Sequence, residues 1–144
     1  MSAYYDNFYK DDVTLNNILK IADKNKNNVI ISDLRLLEHI HNFYPNITTI
    51  ASAVQLLDLD TSLSYLMNDT FDYIVLQTKY NNQLESIASC FKDRIVILPN
   101  DCCPSDCPLK RLCYERTFAL NRSEDFTHIK WGEWTKTNSI PCNN

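Results

Sequence analysis

Four cysteines fall between residues 102 and 113, and their spacing carries the strongest chemical signal in the chain: Asn100-Asp101-Cys102-Cys103-Pro104-Ser105-Asp106-Cys107-Pro108-Leu109-Lys110-Arg111-Leu112-Cys113. Counted from Cys103, the pattern is C-x3-C-x5-C. A short loop between two thiols lets both thiolates converge on one centre. A third, further along a following helix, closes another coordination position. Cys103 and Cys107 each precede a proline, which turns the chain and supplies no competing N–H. Cys103, Cys107 and Cys113 are therefore the candidate metal ligands. The fourth position falls to Cys142, ahead of Cys102 and Cys90. Adjacent Cys102 and Cys103 do not readily reach one ion together, and Cys90 stands in an amphipathic stretch, where a free cysteine is an ordinary core residue. Asn100, between an apolar run and the cysteines, is placed to hold the entry to the loop by local hydrogen bonds.

Four thiolates serve either a 4Fe-4S cluster or a zinc ion. Structural zinc sites favour paired C-x2-C knuckles, which are absent here, so the longer, uneven spacing leans toward the 4Fe-4S cluster, with zinc as the alternative. A reduced metal-free state or a disulfide is the competing reading. The opening residues, MSAYYDNFYKDD, lack the charged-then-apolar order of a signal peptide, and no apolar run has membrane-spanning length. A cytoplasmic protein is expected, and clustered thiols in a reducing compartment more often serve metal than disulfides.

Composition removes other chemistries. Gly132 is the only glycine among 144 residues, so neither a Walker loop nor a dinucleotide fingerprint can be written. A net charge of −4 without a long basic run argues against binding nucleic acid through its phosphates. His39 and His41 lie two apart on one helix and face different ways, which suits surface and core roles. His128, near Trp131, reads as a packing residue. Asp33 and Lys79 follow apolar runs, but Asp33 serves equally as a helix cap. Asp58 and Asp60 read as the start of a helix.

The elements that position these residues alternate. Helices are predicted over Val13 to about Lys24, capped by Asp11 or Asp12, over Leu34 to Tyr44 before Pro45, over Thr61 to Asn68, and over Leu84 to Phe91. Strands are predicted at Val29 to Ile31, Ile47 to Val54, Phe71 to Thr78 and Arg94 to Leu98. Short apolar strands separated by helices indicate an α/β fold of repeated βα units with a parallel sheet covered on both faces. One domain, 1–144, accommodates them, with a cysteine-rich segment at 100–114, a helical continuation from Leu109 to Leu120, and a polar tail at 121–144. The cysteines then follow the last strand, at the carboxyl ends where parallel α/β folds bind ligands.

The segment Ile97-Leu98-Pro99-Asn100-Asp101-Cys102-Cys103-Pro104-Ser105-Asp106-Cys107-Pro108-Leu109-Lys110 resembles the collagenase-like (U-type) peptidase family, whose members carry an Asn, a Cys, three residues, a Cys-Pro and a basic residue just after a strand. Ile50-Ala51-Ser52, and Ile74-Val75-Leu76 leading to Asn81-Asn82-Gln83-Leu84-Glu85, echo the family more weakly. The likeness covers about Asp6 to Pro141 and is closest to short phage and bacterial members. Where many members have a His before an aromatic, this chain has Cys113-Tyr114. The resemblance implies part of a (β/α)8 barrel. A complete barrel takes about 250 residues, so a full catalytic set is not expected. Some members are accessory proteins of ubiquinone or tRNA hydroxylation that bind a 4Fe-4S cluster through four cysteines; others are peptidases. Cys107 to Cys113 is also similar to the iron–sulfur staple of RecB-type nucleases in its x5 half, but not in its x3 half, and no Asp…Glu-x-Lys run accompanies it.

Two functions follow as expectations. The first is a metal- or iron–sulfur-binding, barrel-like redox or accessory component. The second is a phage or mobile-element interaction protein, an inhibitor or adaptor, with metal as a structural staple. Four parallel strands expose two unpaired edges, so a homodimer or a protein partner completing the sheet is expected.

Overall fold

The computed structural model describes residues 8–99 together with Cys107, Lys110, Cys113 and Tyr114. Contacts divide the chain into two units, Met1–Pro99 and Asn100–Asn144. In the first, helices and strands alternate: α1 (Phe8–Asp11), α2 (Val13–Lys24), β1 (Asn28–Ile31), α3 (Leu34–Phe43), β2 (Thr48–Ala51), α4 (Leu59–Met67), β3 (Tyr73–Val75), α5 (Leu84–Phe91) and β4 (Ile95–Val96). Aspartates start three of the helices. Asp12 accepts from the Leu15 N–H at 2.9 Å, Asp33 from Arg35 at 2.9 Å and Asp58 from Thr61 at 2.7 Å, each satisfying a donor that has no partner within its helix.

All three strand pairings are parallel, in the order β1-β2-β3-β4. The expected α/β class and parallel sheet are therefore present. Among the described residues, the helices collect on one face. Right-handed crossovers that always add the next strand on the same side carry every connecting helix to that side. Ile31, Ala51, Ile74 and Ile95 lie in register there. They join Leu37 and Ile40 of α3, Leu66 of α4 and Ile87 of α5 in one core cluster. Fully burying each large aliphatic side chain contributes about 1.5–3 kcal/mol. Ile30, Ile50 and Tyr73, in register on the other face, stand outside the cluster, and Ile30 is 65% exposed.

The strands are shorter than their apolar runs predict, because local turns interrupt them. Ser52 begins a 3-10 turn, Ala53–Gln55, and Leu56 then takes a left-handed conformation at φ 51°. Gln77 leads into a second 3-10 turn, Thr78–Gln83. Helix α4 starts at Leu59, two residues before the predicted Thr61, because Asp58 is its cap.

Scarcity of glycine shows at the helix ends. Asn27 N–H donates to Ala22 C=O and Lys26 N–H to Asp23 C=O; Thr70 N–H donates to Tyr65 C=O and Asp69 N–H to Leu66 C=O. Both sets form the paired closure usually completed by a glycine at the left-handed position. Here Lys26 (φ 55°) and Asp69 (φ 52°) occupy it, at a cost of about 1–2 kcal/mol each.

Candidate metal centre

In the second unit, Cys107 and Cys113 form no disulfide and are half-buried. The Lys110 N–H donates to the Cys107 carbonyl at 3.2 Å, and Lys110, Cys113 and Tyr114 are helical. A bond from residue i+3 back to residue i closes a tight helical turn, so Cys107 stands at the entry of a turn and Cys113 further along in helical conformation. Lys110 is buried, with 5% of its surface exposed. Asn100, Cys103 and Cys142, the alternative Cys102, and His128 lie outside the described residues. Cys90 belongs to α5, but its side chain lies outside them too. Among the described residues, no group of three or more His, Cys, Asp or Glu side chains is placed to hold a metal ion, and no helix is long and apolar enough to cross a membrane.

The carboxyl ends of the strands, where ligands sit in parallel α/β folds, are organised by carboxamides. Gln55 Nε2 donates to the Ile31 carbonyl at 3.2 Å, Gln77 Nε2 to Leu57 at 2.6 Å and Asn81 Nδ2 to Leu98 at 3.1 Å. Each ties the loop after one strand to a neighbouring segment. Thr78 Oγ1 and Asn81 Oδ1 are buried with no hydrogen-bond partner among the described residues, and they lie three apart in a 3-10 turn, where such residues eclipse. Lys79 Nζ lies 4.8 Å from the Tyr80 ring centroid, and the Tyr80 hydroxyl accepts from the Leu59 N–H at 3.1 Å.

Asp33 caps α3 and pairs with Arg35, and its carboxylate also accepts from the Tyr9 hydroxyl at 2.7 Å. The Arg35 guanidinium, with help from Tyr9, holds its pKa at about 2. The backbone N–H of Thr61 lowers that of Asp58, as a capping carboxylate's should be. Both aspartates are thus engaged as caps.

The two histidines of α3 separate as the sequence predicts: His39 is buried and His41 exposed. His39 belongs to a polar network that sequence patterning does not reveal. Its hub is Asn16, whose amide N–H group donates to the carbonyls of Tyr9 (2.6 Å), Lys10 (3.2 Å) and Asp12 (2.8 Å). Asn16 Oδ1 accepts from the Tyr44 hydroxyl at 2.6 Å and lies 2.9 Å from His39 Nε2. Burial, and secondarily the Lys10 charge, lower the His39 pKa; burial likewise raises that of Tyr44. An Asn inside a helix is the available sequence signal, since it competes with helical hydrogen bonding unless a tertiary partner uses it.

Comparison with protein-family models, with curated proteins and with solved structures returns no match.

Proposed function

We propose that the segment from Asn100 to Cys113, with Cys142, holds a 4Fe-4S cluster, and that the chain is a barrel-like redox or accessory component of the collagenase-like peptidase type rather than a complete hydrolase. The observation that carries this reading is the placement of Cys107 at the entry of a helical turn with Cys113 beyond it, half-buried and outside any disulfide. Thiolates are the ligands such a cluster takes, and when bound it would supply one-electron chemistry. Cys103 would close the loop side, Cys142 the fourth position, and Asn100 would hold the loop entry. A reducing cytoplasm would keep the thiols available.

Strand order supports the barrel-like reading, because an unbroken β1-β2-β3-β4 succession with helices on one face is what a (β/α)8 wall requires. The second reading, an interaction protein with zinc as a staple, draws on the edge strands β1 and β4 and on exposed Ile30. Both readings expect association, with a second copy in two-fold symmetry or with another chain.

Replacing Cys107 with Ser tests the assignment. Metal content and thermal midpoint should fall together, because a structural centre adds its binding free energy to folding. Cys90→Ser should leave metal content intact. Metal content indifferent to Cys107→Ser would refute the ligand set.

A further inference from the structure

The corner where α1, α2 and α3 meet holds a groove of 680 Å³ beside a second of 430 Å³, and Lys10, His39 and Phe43 line both. Small-ligand sites have volumes of about 300–1,000 Å³. Its polar groups are fixed in advance. Three backbone carbonyls hold the Asn16 amide nitrogen, so Oδ1 must face Tyr44 and His39. A carbonyl oxygen only accepts. His39 therefore donates through Nε2, and burial, with Lys10 nearby, favours the neutral ring. Nδ1 is left as the acceptor of that ring.

Charge is arranged on the same wall. Lys10 and Lys20 line the larger groove, and neither is in an ion pair among the described residues. The acid in the larger groove's lining, Asp23, is occupied by the Asn46 N–H at 2.8 Å and its side-chain amide at 3.2 Å, and Glu38 lines the smaller groove. Apolar surface completes the lining: Val13 is 72% exposed and Phe43 55%. Exposed aromatic and aliphatic groups in one lining with two ammonium groups outside any ion pair among the described residues suit a ligand that is flat, apolar and negatively charged.

We propose that this groove binds a small organic anion with a flat apolar body and a hydrogen-bond donor. Lys10 and Lys20 meet the anionic group, Phe43 and Val13 the apolar body, and His39 Nδ1 the donor. Nothing in this site depends on the cysteines.

Anilinonaphthalene sulfonate is the probe, since it joins an anion, aromatic rings and an amine N–H. Phenylnaphthylamine, the same skeleton without the sulfonate, is the neutral control. Titrated into the full chain, the sulfonate should saturate one site and bind about tenfold more tightly than the control. The double change Lys10→Met, Lys20→Met should weaken it about tenfold. Both lysines are exposed, so the thermal midpoint should hold. Lys24→Met, an exposed change on the same helix outside the groove lining, should leave binding unaltered. Unsaturable binding, equal affinity for the neutral control, or undiminished binding by the double variant would overturn the proposal.

Discussion

The two ends of the sheet are built on different chemistry. At the amino ends, Arg94 closes the junction between α4 and β3. Its guanidinium donates to the carbonyls of Leu66 (3.0 Å), Phe71 (2.7 Å) and Asp72 (2.9 Å) and to Asp69. Beside it the buried Thr49 and the exposed Asp72 bond each other, with Asp72 Oδ2 accepting from both the N–H (2.7 Å) and the hydroxyl (2.9 Å) of Thr49. Both glycine-free helix closures also lie at this end. At the carboxyl ends, neutral carboxamides tie the loops, and two buried oxygens, on Thr78 and Asn81, have no hydrogen-bond partner among the described residues. Buried polar groups are ordinarily satisfied. Among the described residues, the difference separates an end whose interactions hold the fold from an end with unmet bonding capacity; the cysteine segment follows β4 in sequence.

Arg94→Met is the largest expected break in this contrast. The Arg94–Asp69 pair is shallow, with Asp69 83% exposed, and such pairs contribute little. The charge-assisted bonds to three carbonyls matter more, and their loss should cost about 3 kcal/mol in urea unfolding. A loss near zero would mean that the junction is held by packing alone.

Lys26→Gly sharpens the contrast from the other side. Lys26 occupies a left-handed position that glycine fills without a Cβ clash, so the variant should be more stable by about 1 kcal/mol. Destabilisation would show that the lysine side chain contributes something the closure does not require.

Asp33→Asn has the smallest expected effect and reads the carboxyl side. The Asp33 pKa is lowered from 3.8 to about 2, so its ionised form favours folding. That contribution is present above 3.8 and is lost as pH falls through the folded value. Solvent exposure of the pair, 50% and 30%, screens it to about 0.5 kcal/mol. Wild-type stability should therefore converge on that of the variant between pH 4 and 2, roughly, as checked by thermal unfolding across that range. Parallel pH profiles would remove the ion pair from the account.

Much of the scaffold was legible because it is local. The α2 span, Val13–Lys24, follows from apolar spacing behind Asp12, and α3 begins at its Asp33 cap. Apolar runs mark the strands but overstate their length, since Ser52 and Gln77 end them through turns that such runs do not mark. Among the described residues, the helices pack on one face of the sheet, an arrangement that follows from strand order, which no single segment encodes. Arg94, Asn16 and the carboxamides at Gln55, Gln77 and Asn81 bond partners seventeen or more residues away in most cases, such as Arg94 with Leu66 and Asn16 with Tyr44. Spacing therefore gave no sign of them. For the site, Cys107 and Cys113 are placed on a turn and in helical conformation, whereas Asn100, Cys103 and Cys142 lie outside the described residues.

Anaerobic purification followed by iron, sulfide and zinc analysis tests the central claim most directly. A brown protein carrying about four iron atoms and four sulfides per chain, bleaching on reduction and losing both in Cys107→Ser, is the predicted result. A colourless chain without iron would contradict it, and stoichiometric zinc in place of iron would replace the cluster with the structural staple.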